Sequence, residues 1–178
     1  MNTEHMGIHT KLVHAGHHPD PTGAVTVPIY QSSTFAFRSA QHGAELFAGG
    51  DDGYIYTRLG NPTIRALEEC VAELEHGFAG IATSSGMGAV SVVYLALLGQ
   101  GAHMVSTASV YGPSRGLAEK HLSRFGVTAT FVDTTDTEAV RRAMRPETRV
   151  LYVETPSNPA MQVTDLRAMA AIAREHGC

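Results

Sequence analysis

From Asn61 to the last residue, helical periods and short apolar runs alternate, with turn residues between them. This alternation restricts the fold more than any other feature of the chain. Asn61 suits an N-cap, Pro62 the first helical position and Gly77 the residue after the helix. Between them Ile64, Leu67, Val71 and Leu74 recur at helical spacing, which predicts a helix. AGIATSS, from Ala79 to Ser85, reads as a short buried strand, and GMGAVSVVYLALLGQG as a buried helix closed by Gly99 and Gly101. HMVSTA reads as a strand, Ser114 to Phe125 as a helix stopped by Gly126, and VTATFVD as a strand. Asp136 caps a helix through Arg145. TRVLYVETP is a strand, and Asp165 or Thr164 caps a last helix through His176, stopped by Gly177. Strand-plus-helix units every ~20–25 residues call for crossover connections between parallel strands. The predicted fold class is therefore α/β, with an open, doubly wound, mostly parallel sheet.

Residues 1 to about 60 lack this periodicity, and Pro19, Pro21 and Pro28 interrupt what pattern there is. An irregular stretch of that length is unusual inside a compact domain and suits an arm that covers a partner subunit. Five histidines lie in its first 18 residues (His5, His9, His14, His17 and His18), without carboxylates at ligand spacing and without HExxH, so no metal site is expected. Apolar residues make up 43% of the chain and charged residues 17%, which suits a folded core rather than disorder. A net charge of −4 with scattered basic residues argues against a nucleic-acid or acidic-membrane partner. Two distant cysteines, Cys70 and Cys178, fit the reduced thiols of a cytoplasmic protein. The N-terminal residues lack the apolar core of an export signal, and no run reaches the ~18 apolar residues of a membrane helix.

Ligands of open α/β sheets sit beyond the carboxyl ends of the strands. Three such ends stand out. In TSSGMGA, Ser85 offers a hydroxyl, Gly86 and Gly88 admit close approach, and Met87 lies in the first turn of a helix whose free N–H groups favour a phosphate. The same residues can also form an ordinary tight turn; they match neither GxGxxG nor a Walker loop. In STASVYGPSRG, Tyr111 can stack on a planar ring or be a half-buried loop tyrosine. In VLYVETPSNP, Glu154 and Asn158 can hydrogen-bond a ligand or fix a local turn. A fourth stretch, YIYTRLGNPT, places Tyr56 and Arg58 just before the Asn61 cap, as either a surface hairpin or an anion site.

Taken in order, VPIYQSSTF, YTRLGNPT, SSGMGA, VYGPS and VETPSNP resemble the N-terminal part of the pyridoxal-phosphate enzymes of cysteine and methionine metabolism. The resemblance runs over essentially the whole chain, whereas members of that family are more than twice its length. It implies the large cofactor-binding domain of the aspartate-aminotransferase-like fold, truncated, with residues 1–60 as an arm reaching a neighbouring subunit and 61–178 as the first part of the domain. It assigns Ser85, Gly86 and Met87 to the phosphate of pyridoxal 5'-phosphate, and Asn158 to the oxygen on the pyridine ring. Tyr111 would stack on the ring and assist proton transfer, and Glu154 would be an acid near it. Tyr56 and Arg58 would reach the phosphate of a neighbouring subunit, which implies a homo-oligomer built as a dimer of dimers. The implied substrates are sulfur amino acids. HGAELFAGG resembles methionine γ-lyases more than cystathionine synthases, while Pro113 stands where many methionine γ-lyases carry Cys. The resemblance thus points to γ-elimination. The alternatives are cystathionine γ-synthase or O-acylhomoserine sulfhydrylase chemistry (γ-replacement) and cystathionine cleavage.

The sequence departs from the family in one respect. The chemistry needs a lysine that forms a Schiff base with the cofactor, and the chain has only Lys11, in the arm, and Lys120, beside Glu119 in a helix. Neither lies in the family's lysine motif, so the chain is expected to be an inactive N-terminal fragment. A non-catalytic phosphate- or cofactor-binding module is the rival of another class. A nucleotide-binding reading of SSGMGA lacks the ribose-binding acid about 20 residues on. Val150 to Val153 is expected to be an open sheet edge.

Overall fold

The computed structural model of the chain describes residues 5–50 and 52–178. These divide into two compact units, one up to Ala82 and one from Thr83.

The second unit is a three-stranded parallel sheet with helices on both faces. Its strands are β1 (His103–Thr107), β2 (Thr128–Val132) and β3 (Thr148–Tyr152), in spatial order β2-β1-β3. The helices, taken with those of the first unit in chain order, are α4 (Gly86–Leu97), α5 (Gly112–Gly116), α6 (Thr137–Ala143) and α7 (Leu166–Glu175). Neighbouring residues of β1 feed opposite layers, as strand alternation requires. Met104 packs with Tyr94, Leu98, Ala118 and Leu122, from α4 and the α5 segment. Val105 packs with Val140 of α6 and with Met169 and Ile172 of α7. The doubly wound arrangement is therefore observed, and β3 is an edge strand as expected.

Local chemistry explains the element boundaries. The Asp136 carboxylate accepts from Glu138 and Ala139 N–H, and that of Asp165 from Arg167 and Ala168 N–H, so each starts a helix. Thr164 is not the cap, because its hydroxyl is bonded to Thr134 at 2.6 Å. α6 ends at Ala143, short of Arg145, because Pro146 disfavours helical geometry at the residue before it. The predicted helix from Ser114 to Phe125 begins at Gly112, passes through a π turn at Leu117–His121 and a 3₁₀ turn at Leu122–Phe125, and stops at Gly126, whose φ is 79°. His103, buried at 1% exposure, ties all three strands together. Its ring nitrogens lie 2.8 Å from Thr148 Oγ1 on β3 and 2.9 Å from Thr130 Oγ1 on β2.

The first unit holds α1 (Ile8–His14), α2 (Ala40–Phe47) and α3 (Pro62–Leu74). α1 and α2 lie in the stretch read as irregular. They are short; Ser39 caps α2 by accepting the His42 N–H, and Lys11 of α1 pairs with Glu73 of α3 at 3.3 Å. α3 starts at Asn61 and Pro62 as predicted. At its end His76, not Gly77, takes the left-handed position (φ 54°), and the Gly77 N–H reaches back to the Ala72 carbonyl at 2.8 Å. Leu67 and Val71 of the predicted apolar stripe are exposed.

One predicted strand does not form. Residues 79–85 are irregular, and Ile81 is exposed. The Ala82 N–H goes to the Glu68 side chain at 2.7 Å instead of to a strand. A Cβ on Gly80 would stand 2.5 Å from the Glu68 carbonyl oxygen, so only glycine allows this close passage by α3.

Candidate functional site

In the second unit, Ser85, Gly86 and Met87 open α4. Ser85 is its N-cap, and its hydroxyl accepts the Gly88 N–H at 3.0 Å. The Ser85 carbonyl receives the Ala89 N–H at 3.1 Å and the Thr83 hydroxyl at 2.8 Å. The N–H groups of Gly86 and Met87 have no intrahelical acceptor at this position in a helix. Gly86 has open space where a Cβ would be, while a Cβ on Gly88 would press at 3.3 Å on both Ser85 Oγ and Thr83 Oγ1. The turn is thus close-packed on its inner side and exposed at Gly86, and the start of a helix there is suited to an anion.

The turns after β1 and β3 are linked to each other and to α4. The Tyr111 N–H donates to Glu154 Oε2 at 2.8 Å, which joins the turn after β1 to the end of β3. The Ser114 hydroxyl lies 3.5 Å from Met87 Sδ, which joins α5 to the α4 turn. The Tyr111 side chain is 57% exposed and so open to a ring. Asn158 is exposed in a turn closed by the Ser157 N–H to the Gln162 carbonyl at 2.9 Å. Beneath these turns runs a buried hydroxyl row: Thr107 to Thr134 at 3.1 Å, and Thr134 to Thr164 at 2.6 Å. Thr107 Oγ1 also accepts the Glu154 N–H at 3.3 Å. Sequence reasoning passed over Thr83, Ser114 and this row. The signal was there, since a threonine ends β1 and another follows β2, where a turn would more often place Gly or Asn.

Around these residues ionisation is shaped mainly by burial, which raises the Tyr94 and Tyr152 hydroxyls above the ordinary tyrosine range. Their rings meet edge to face, 5.3 Å apart.

In the first unit, Tyr56 and Arg58 meet across a turn. Tyr56 makes an antiparallel bridge with Thr34, and its carbonyl then accepts from Leu59 and Gly60 N–H at 2.8 and 3.1 Å. The Arg58 guanidinium sits 5.0 Å from the centre of the Tyr56 ring. Both are exposed, and no carboxylate pairs with Arg58 among the described residues. By contrast Arg65 grips Glu69 at 2.7 Å and Asp52 at 2.8 Å, and it holds the Asp52 carboxyl below the usual range.

The two lysines are placed apart from these residues. Lys11 is 7% exposed and engaged with Glu73, and Lys120 is exposed on the π turn. Among the described residues, no helix is long and apolar enough to cross a membrane.

Residues 9–178 match the family described as Cys/Met metabolism PLP-dependent enzyme. The chain is 48% identical over 173 residues to L-methionine gamma-lyase of Fusobacterium nucleatum subsp. nucleatum, a match covering 97% of this chain and 44% of that protein. It is 45% identical over 179 residues to cystathionine beta-lyase MetC of Bacillus subtilis, covering 100% of this chain and 44% of that protein. Among solved structures it superposes on metB from Corynebacterium glutamicum with a TM-score of 0.88 and 38% identity, over 98% of this chain and 44% of that one. The chain thus spans less than half the length of the curated relatives it matches. With the motif order and the doubly wound sheet, the match over residues 9–178 makes this chain a member of the Cys/Met metabolism family of pyridoxal-phosphate-dependent enzymes.

Proposed function

We propose that these residues supply the phosphate- and ring-binding part of a carbon–sulfur lyase acting on sulfur amino acids, with γ-elimination from methionine as its reaction. The observation that carries the proposal is the Ser85-capped start of α4, whose first N–H groups, at Gly86 and Met87, lack acceptors within the helix. These donors and the helix dipole would take the phosphate. Tyr111, anchored through its N–H to Glu154, would lie against the pyridine ring and hold or pass a proton at its hydroxyl. Glu154 then acts on the ring's surroundings through Tyr111, and Asn158 would donate to the ring oxygen. Pyridoxal phosphate, when bound, supplies an electron sink for the charge that develops at the substrate α-carbon. Tyr56 and Arg58, exposed and mutually stacked, would present a planar cationic fork to a phosphate in a neighbouring subunit of a dimer of dimers. In that assembly residues 1–60 are the arm and 61–178 the first part of the cofactor domain. Neither lysine serves as covalent anchor, so these residues alone are a non-catalytic part of the enzyme.

Cystathionine cleavage is the second reading, supported by 45% identity over the whole chain to a cystathionine β-lyase, close to the 48% for the methionine γ-lyase. One experiment tests the core of the proposal. The purified chain is mixed with pyridoxal 5'-phosphate, and the retained cofactor is measured after gel filtration. Retention that falls in both Ser85→Ala and Arg58→Ala is expected, with no thiol released from methionine. Retention indifferent to both substitutions, or thiol release by this chain, would contradict it.

A further inference from the structure

We propose that Asn61 is the positioning residue for the Tyr56–Arg58 pair, and that it acts through its amide N–H groups rather than through its role as a helix cap. The proposal rests on the reading of that pair as a phosphate grip. Asn61 is 3% exposed, and its whole side-chain amide is used. The oxygen accepts the Thr63 N–H at 2.9 Å and caps α3. The nitrogen donates twice, to the Tyr30 carbonyl at 2.9 Å and to Thr57 Oγ1 at 3.1 Å. A cap needs only the oxygen, which Ser, Thr or Asp would supply as well. The two donated bonds are what Asn adds.

Those bonds converge on the segment that carries the pair. Thr57 sits between Tyr56 and Arg58, and its N–H donates to the Ser33 carbonyl at 2.9 Å while its hydroxyl bonds the Ser32 carbonyl. Asn61 therefore ties together the start of α3, the arm at Tyr30 and the turn from Tyr56 to Gly60. Thr63 adds a second fastening: its hydroxyl donates to the Pro28 carbonyl at 2.8 Å and accepts the Tyr30 N–H at 2.9 Å. Among the described residues Arg58 makes no backbone hydrogen bond of its own, so the position of its guanidinium is inherited from Thr57. Without the Asn61 donors the charge of Arg58 persists, but its place relative to Tyr56 is no longer fixed.

Asn61→Ser and Asn61→Asp separate the two roles, since each keeps a capping oxygen and removes the donors. Amide hydrogen exchange on the full chain should show α3 unchanged, with the Thr57, Leu59 and Gly60 amides exchanging about ten-fold faster or more. Thr57→Val, which removes the acceptor and leaves Asn61 intact, should reproduce the change. Retention of added pyridoxal 5'-phosphate should fall about ten-fold in all three. Unchanged exchange at Thr57, Leu59 and Gly60 in the variants would overturn the proposal, as would loosened exchange with cofactor retention intact while Arg58→Ala loses it. If Arg58→Ala also retains the cofactor, the phosphate-grip reading fails, and the exchange pattern still decides what Asn61 positions.

Discussion

Residues 83–178 bury Tyr94, Met104, Val105, Val140 and Ile172 at 1% exposure or less, whereas in the described part of residues 1–82 the only buried apolar residues are Ala15 and Leu46. The first unit is ordered instead by directional polar contacts: Asn61 with Tyr30 and Thr57, Lys11 with Glu73, and Arg65 with Asp52 and Glu69. Apolar burial is non-directional and tolerates small shifts, while a hydrogen bond or ion pair is lost when geometry slips. The contrast fits the two proposed tasks. The sheet unit would hold the N–H donors of α4 still, and the arm unit would present Tyr56 and Arg58 to a partner.

Four substitutions test how deep the contrast goes. Tyr94→Ala, which empties the layer between α4 and the sheet, should cost about 3–5 kcal/mol in the denaturant-unfolding free energy of residues 83–178. A loss below ~1 kcal/mol would mean that the apolar core is not what holds the second unit. Glu73→Ala should cost about 3 kcal/mol, because it leaves the buried Lys11 ammonium without its carboxylate, and exchange should accelerate in α1 and α3. Lys11→Met in the Glu73→Ala background should restore most of that loss; no recovery would show that the ion pair is not the cause. The smallest effect concerns His103, the polar exception in the apolar unit. Burial, and then the Arg145 charge, depress its folded-state pKa, with Glu147 opposing. Below about pH 6.5, its ordinary value, the unfolded chain takes up a proton that the folded chain resists, so stability is lost as pH falls. His103→Asn should flatten that part of the pH–stability profile; an unchanged slope would place the acid sensitivity elsewhere.

The helix starts were legible because caps are local chemistry. Asn61, Ser85, Asp136 and Asp165 each accept the N–H groups that their position in the sequence implies. The turns after β1 and β3 were legible for a similar reason, as small or polar residues followed apolar runs. What escaped depends on contacts distant in sequence. Residues 79–85 have the composition of a strand, but their backbone is drawn to Glu68 on α3. α1 and α2 are too short to show a period, and the Lys11–Glu73 pair that secures α1 spans 62 residues, 73 minus 11. The helical period of α3 was right, but period reports which residues share a face and not whether that face is covered, so Leu67 and Val71 are exposed. The bonds from Tyr111 to Glu154 and from Ser114 to Met87 turn three separately read motifs into one surface, which no single stretch could reveal.

The central claim is that the start of α4 binds the cofactor phosphate. Amide hydrogen exchange of the full chain, recorded with and without pyridoxal 5'-phosphate, tests it most directly, because the Gly86 and Met87 N–H groups lack acceptors within the helix. The account predicts that these two amides gain the largest protection on cofactor addition, and that Ser85→Ala weakens the effect. Cofactor retention with no change at Gly86 and Met87 would contradict it.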